Sequence, residues 1–176
     1  ISYNAFIRTT TPEHQKAVYD LISRILKTGD LYPDTYEGLY CPDCEEFKRE
    51  SDLKNGNCSI HKKPAKKLKE NNYFFKLSAY QQKLLDHIKQ HPEFVQPVSR
   101  RNEVVAFIER GLEDFSVSRE GAKWGIPWPG DASHAVYVWF DALVNYLTAT
   151  GYPADGYDKW WPADVHLVGK DIIKFH

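Results

Sequence analysis

The sequence predicts an α/β fold in which a small metal-binding module interrupts a larger, parallel sheet. Two apolar stretches, residues 135–139 and 165–168, each lead through a short turn into a helical pattern. Such strand–turn–helix units are the building blocks of parallel sheets. From residue 31 the chain changes to short strands, cysteines and lysines, which indicates an inserted module.

The composition is that of a folded, membrane-free protein. Hydrophobic residues make up 42% and aromatic residues 14% of the 176 residues, which excludes a disordered chain. No apolar run reaches the roughly 18 residues that span a bilayer. Lys plus Arg (23) nearly balance Asp plus Glu (24), so any nucleic-acid contact needs a local patch. Three cysteines suit a reducing compartment, and we expect a cytoplasmic protein.

The first two-thirds of the chain contains three predicted helices. Thr11 and Pro12 begin a helix that ends at Gly29 as its C-cap. Short strand pieces at 31–32 and 36–40 follow, and residues 73–77 form a strand after a turn at Asn71 and Asn72. Ser78 caps a second helix, and a third covers residues 103–110.

The last third carries the predicted binding region. The strand at 135–139 runs into an amphipathic helix, for which Asp141 serves as the N-cap. The strand at 165–168 breaks at Gly169, and helical turns follow over 171–176. Ligands of parallel sheets bind at the carboxyl ends of the strands, so we expect the site around 139–146 and 169–176.

Four residues have the spacing of a metal site: Cys41, Cys44, Cys58 and His61. They form two chelating pairs, and a closed set of thiolates and one imidazole is typical of structural zinc. The alternative is a redox pair of Cys41 and Cys44, with the other two residues incidental.

A lysine strip follows the last ligand and consists of Lys62, Lys63, Lys66, Lys67 and Lys69. It can contact phosphates, but we favour a solvated face because aromatic residues are not interleaved with the lysines.

Several segments together resemble the methionyl-tRNA synthetases, a family of class I enzymes. They are residues 1–10 (ISYNAFIRTT), 36–41 (YEGLYC) with the cysteine knuckle, 136–142 (VYVWFDA) and 166–173 (HLVGKDII). The resemblance implies a split Rossmann-type catalytic domain whose first half ends near residue 30 and whose second half begins near 114. Residues 31–113 would be the connective insertion with its single zinc knuckle.

The resemblance implies an enzyme, a methionine-tRNA ligase that uses ATP with Mg²⁺, methionine and tRNA(Met). We expect the chain to be an internal piece, because the family's HIGH-type motif would precede residue 1 and its KMSKS-type loop would follow residue 176. A piece without both motifs is expected to be inactive alone.

The methionine pocket implied by the resemblance also has a physical rationale. An aromatic wall, a small floor, a Tyr hydroxyl and an imidazole suit an unbranched thioether side chain. The positions are Trp139, Ala142, Leu143, Tyr146, Ile172 and His176. For Ala142 and Leu143 the alternative is simple core packing.

Three further positions are assigned to ATP and the adenylate. Gly169 allows close backbone approach and Asp171 can accept hydrogen bonds from ribose hydroxyls. Arg119 matches the family's activation-step arginine, which would stabilise charge on the ATP phosphates; the alternative is an exposed ion pair.

Two other functions compete with this interpretation. A synthetase for another aliphatic amino acid would need a pocket for a branched side chain. A non-catalytic zinc-ribbon module that binds RNA would leave the strand–turn–helix units unexplained.

Overall fold

The computed structural model describes residues 2–44, 46–48 and 52–176. Its helices are α1 (Pro12–Thr28), α2 (Gln81–Gln90), α3 (Val98–Glu109) and α4 (Val138–Ala149). Its strands are β1 (Leu31–Cys41), β2 (Glu46–Lys48), β3 (Leu53–Lys54), β4 (Asn57–Cys58), β5 (Lys66–Phe75), β6 (Phe115–Ser116), β7 (Ser118–Glu120), β8 (Pro127–Trp128) and β9 (Asp131–Val136). They form sheets ordered β2-β1-β5-β6, β7-β9-β8 and β3-β4.

Helix α1 has the ends that the sequence predicts. The Thr11 hydroxyl accepts a hydrogen bond from the backbone N–H of His14 at 3.3 Å. Gly29 ends the helix with φ at 77°, a left-handed conformation that costs a glycine little. One face of α1, with Ala17, Val18 and Ile22, is fully buried in the main core.

The main core lies between α1, α4 and the strands that connect them. Its other buried members are Leu31, Val117, Ile126, Trp128, Val136, Phe140, Val144 and Tyr152. Within the described residues, no helix is long and apolar enough to cross a membrane.

Strand β1 is one strand of 11 residues, so the two short pieces predicted from the sequence were wrong. It pairs antiparallel with β5 from Leu31 opposite Phe75 to Tyr40 opposite Lys66. Among the described residues, β2 pairs with β1 only at residues 39–41, so at Pro33 the edge of β1 away from β5 has no strand partner. Pro33 is tolerated there because proline has no N–H to donate to a neighbouring strand.

Asn71 and Asn72 lie inside β5, so the predicted turn was also wrong. Asn72 is buried, and its side chain donates to Glu70 (2.8 Å) and accepts from the backbone N–H of Glu120 (3.0 Å). The amide thus joins β5 to β7 and makes an unusual strand residue favourable here.

The two middle helices begin elsewhere than predicted. Helix α2 starts at Gln81 after a 3-10 turn over Leu77–Tyr80, and Ser78 does not cap it. The Ser78 backbone and hydroxyl donate to Asp114 instead, at 3.0 and 2.6 Å. Helix α3 starts five residues before the predicted Glu103, at Val98.

The last third departs most from the prediction. Every strand pair among the described residues is antiparallel, including β7–β9 and β8–β9. Residues 165–168 form no strand, and Leu167 is 95% exposed; 171–176 contain only a 3-10 turn. A parallel strand needs neighbours for its backbone hydrogen bonds, and none of the described strands supplies them here.

Asp141 does not cap α4, because the N-cap residue is Tyr137. It lies in the first turn of α4, buried, with its Oδ1 unpaired among the described residues. Burial raises the pKa of Asp141 to about 6.

A buried hydrogen bond joins α1 to α4. His14 Nδ1 lies 2.9 Å from the Thr148 hydroxyl, which donates to the carbonyl of Val144 at 3.2 Å. A hydroxyl has one proton, and that of Thr148 is used in the bond to Val144. His14 Nδ1 must therefore carry a proton and donate it to the Thr148 oxygen. Burial lowers the pKa of His14, which favours this neutral form.

Candidate functional site

Two tight turns deliver the four predicted metal ligands. Cys41 ends β1 and Cys44 lies in the turn that follows. The β3–β4 hairpin delivers Cys58, since Asn55 (φ 53°) and Gly56 (φ 76°) form a turn with two left-handed residues. His61 follows in a turn closed by the Lys62 N–H, which donates to the Cys58 carbonyl at 2.8 Å.

The four ligand atoms lie within 4.8 Å of one another and could hold a metal ion. Cys44 Sγ lies 3.6 Å from Cys58 Sγ and 3.1 Å from His61 Nδ1. Tetrahedral zinc, with Zn–S near 2.3 Å, requires S···S separations of about 3.8 Å. The donor set and its spacing therefore fit this ion.

The electrostatics differ between the thiols of the cluster. Burial raises the pKa of Cys44 to about 11, so this thiol needs a bound cation to become a thiolate. Backbone hydrogen bonding from His61 lowers the pKa of Cys58, because it stabilises the thiolate. All three cysteines are free, and Cys41 and Cys58 are buried. The convergence of all four residues argues against a redox pair with two incidental neighbours.

Acidic side chains partly neutralise the lysine strip. Lys67 lies 2.5 Å from Glu37 on the neighbouring strand, and Lys63 lies 3.0 Å from Asp43. Lys66, Lys67 and Lys69 belong to β5. These ion pairs favour a solvated face over a phosphate-binding surface.

Helix α4 has two distinct faces. Phe140, Val144 and Thr148 point into the core. The other face carries the four predicted methionine-pocket residues of this helix: Trp139, Ala142, Leu143 and Tyr146, which follow helical i, i+3, i+4, i+7 spacing. Ala142 and Leu143 are half-buried and are not members of the main core cluster. Trp139 lies in the helix, not at the strand end as predicted.

The C-terminal segment packs on this outer face. The Tyr146 hydroxyl is hydrogen-bonded to His176 Nε2 at 2.7 Å, and His176 Nδ1 lies 3.0 Å from the Ile172 carbonyl. The predicted Trp139, Tyr146, Ile172 and His176 are thus brought into one neighbourhood.

Sequence reasoning missed two aromatic neighbours. Phe175 stacks on Trp139, with ring centroids 4.7 Å apart, and His166 packs edge-on against Tyr146 at 4.8 Å. Both residues could have been proposed from the sequence. Phe175 lies three residues after Ile172, and His166 is the first residue of the segment 166–173 that resembles the family.

Gly169 and Asp171 begin the turn that carries Ile172. The Gly169 carbonyl accepts from the backbone N–H of Ile172 at 3.1 Å. The Asp171 carboxylate is exposed and lies 2.6 Å from Lys170, which lowers the pKa of Asp171. It therefore stays ionised near neutral pH.

Arg119 lies in β7, opposite Ala135 of β9. Its Nη1 donates to the Ser116 hydroxyl (2.8 Å) and to the Ser118 carbonyl (2.9 Å). Its guanidinium carbon lies 3.9 Å from the centroid of the Tyr137 ring. No carboxylate among the described residues pairs with Arg119, so the predicted alternative of an exposed ion pair is not seen.

The family model for tRNA synthetases class I (M) matches residues 1–52 and 48–176, and the chain belongs to this family. Its relatives include the methionine-tRNA ligases of Clostridium perfringens, 51% identical, and Thermosynechococcus vestitus, 50% identical. Each match covers the whole of this chain but only 28% and 35% of those relatives.

Solved structures agree with the sequence relatives. A crystal structure of Mycobacterium tuberculosis methionyl-tRNA synthetase bound by methionyl-adenylate matches all of this chain and 36% of its own, with TM-score 0.89 and 44% identity. The free-state structure matches with TM-score 0.87. The mixed α/β class and the resemblance predicted from the sequence are confirmed, as is the expectation of a piece of a longer protein.

Proposed function

We propose that this chain is part of a methionine-tRNA ligase, which activates methionine with ATP and transfers it to tRNA(Met). The observation that carries the proposal is the match of the entire chain, at 44% identity, to a synthetase bound by methionyl-adenylate. The substrates of the whole protein would be methionine, ATP with Mg²⁺ and tRNA(Met).

In this proposal the outer face of α4 binds the methionine side chain. Trp139 and Leu143 give an apolar wall, and the small side chain of Ala142 leaves room for the thioether. The bond between Tyr146 and His176 fixes two polar groups beside it. Ile172 closes the pocket from the C-terminal segment, and Gly169 and Asp171 hold the adenosine.

Arg119 would act in the adenylation step, when the methionine carboxylate attacks the α-phosphate. A guanidinium without a carboxylate partner keeps its charge available for the negative charge that develops on the phosphates. No enzyme nucleophile is required, since the amino acid itself attacks; the protein supplies position and charge.

The other parts of the chain have supporting roles. We assign residues 1–30 to the first half of the catalytic domain, 31–113 to a connective insertion and 114–176 to the second half. Cys41, Cys44, Cys58 and His61 would hold a structural Zn²⁺, which closes the tip of this insertion without an open position for water. Free thiols at such a site favour a reducing, cytoplasmic location.

The test is amino-acid-dependent ATP–pyrophosphate exchange by the full-length protein. We expect exchange with methionine and little with leucine or valine, and one zinc per chain by elemental analysis. Arg119→Ala should lower the exchange rate by about 100-fold or more, whereas Arg110→Ala in the insertion should not. Exchange with leucine but not methionine, or normal exchange by Arg119→Ala, would contradict these assignments.

A further inference from the structure

Arg119 is held in place by an aromatic ring from the neighbouring strand end. Arg119 pairs with Ala135 across the β7–β9 ladder, so Tyr137, two residues further, is its diagonal neighbour on the same side. The guanidinium carbon lies 3.9 Å from the ring centroid, the shortest separation of a cation and a ring among the described residues. At this distance the guanidinium is in direct contact with the ring and gains a cation–π attraction.

The backbone of Tyr137 is fixed on both sides. Its N–H donates to the carbonyl of Val117 at 2.8 Å. Its carbonyl accepts from the N–H groups of Phe140 and Asp141 at 2.9 and 3.1 Å, because Tyr137 is the N-cap residue of α4. The ring therefore projects from a backbone segment that is held by hydrogen bonds on both sides.

The remaining contacts leave part of the guanidinium free. The two hydrogen bonds of Arg119 within the described residues both use Nη1. Nε and Nη2 therefore have no hydrogen-bond partner among the described residues. These donors can meet an anion without first losing a protein partner.

We propose that Tyr137 is a positioning residue that holds Arg119 for the adenylation step. The inference rests on the proposed function. Tyr137 also begins the helix that carries Trp139, Ala142, Leu143 and Tyr146, so one residue ties the orientation of the cation to the wall of the methionine pocket. Its own hydroxyl has no part in this role.

The test compares Tyr137→Leu with Tyr137→Phe in the full-length protein. Tyr137→Leu removes the ring and should lower kcat for methionine-dependent exchange by about 10-fold, with KM for methionine within about twofold. Tyr137→Phe keeps the ring and should retain most of the rate. Phe107→Leu is the matched control, since it removes an aromatic contact with Arg110, 5.7 Å from the ring, inside the insertion.

A double variant separates positioning from general stability. Because Tyr137 acts through Arg119, Tyr137→Leu should cause no further loss of kcat in the Arg119→Ala background. A normal kcat for Tyr137→Leu, an equal loss for Tyr137→Phe, or losses that multiply in the double variant would each overturn the inference while leaving the proposed function intact. A wild-type protein without methionine-dependent exchange would overturn both.

Discussion

Asp141→Asn tests the cost of burying a carboxyl group beside α1. Asp141 is 8% exposed, and its Oδ1 has no hydrogen-bond partner among the described residues. Burial raises the pKa of Asp141 from 3.8 to about 6, because the charged form loses its hydration. The variant keeps the shape of the side chain and removes the charge.

The sign and size of the effect follow from the pKa. A carboxyl whose pKa is raised by folding contributes stability below its unfolded pKa and loses that contribution as pH rises through its folded pKa. A rise of about 2 pH units corresponds to roughly 3 kcal/mol at neutral pH. We therefore expect Asp141→Asn to raise the free energy of unfolding by up to roughly 3 kcal/mol at pH 7.5, and by little near pH 4.

Urea unfolding followed by tryptophan fluorescence, between about pH 4 and 7.5, measures this difference. Asp20→Asn is the control with the opposite sign. The hydrogen bond from Tyr152 lowers the pKa of Asp20, so that carboxylate stabilises the fold above its unfolded pKa and ceases to as pH falls through its folded pKa. A stability gap for Asp141→Asn that does not change with pH, or a loss at pH 7.5, would refute the reasoning.

Two further predictions concern the core and the metal centre. Ile22 is fully buried on α1, and Ile22→Ala should lower the free energy of unfolding by about 2–5 kcal/mol. Ile60 is 68% exposed, and Ile60→Ala should change that free energy by less than about 0.5 kcal/mol. Equal losses for the two variants in urea unfolding would contradict the assignment of the core. Chelation of the metal should remove hydrogen-exchange protection from residues 41–61 before α1 is affected, and Cys44→Ser should do so without a chelator. A uniform loss along the chain would show that the module does not depend on the metal.

Local sequence signals were sufficient for features that depend only on residues close together in the chain. Helix α1 has its ends at Thr11 and Gly29 because both residues act within one turn of the helix. The metal cluster was also predictable, since two pairs of close ligands need only one turn each and a single approach between them.

Long-range contacts determined the elements that were missed. Pro33 looks like a turn residue, but an edge without a partner accepts it within β1. Asn72 looks like a turn residue too, yet its amide joins two strands that are 48 positions apart in sequence. Conversely, residues 165–168 have a strand pattern and no strand partner, which shows that an apolar pattern alone does not form a sheet.

The β1–β5 ladder also separates the cysteine–histidine cluster from the main core. Leu31 lies in the main core, while Cys41, ten residues along the same strand, lies in the cluster that could hold a metal ion. At about 3.4 Å per residue the ladder extends for about 34 Å, and charges in physiological salt are screened within about 8 Å. The charge of an ion bound at Cys41 would therefore be largely screened at the core end of the ladder.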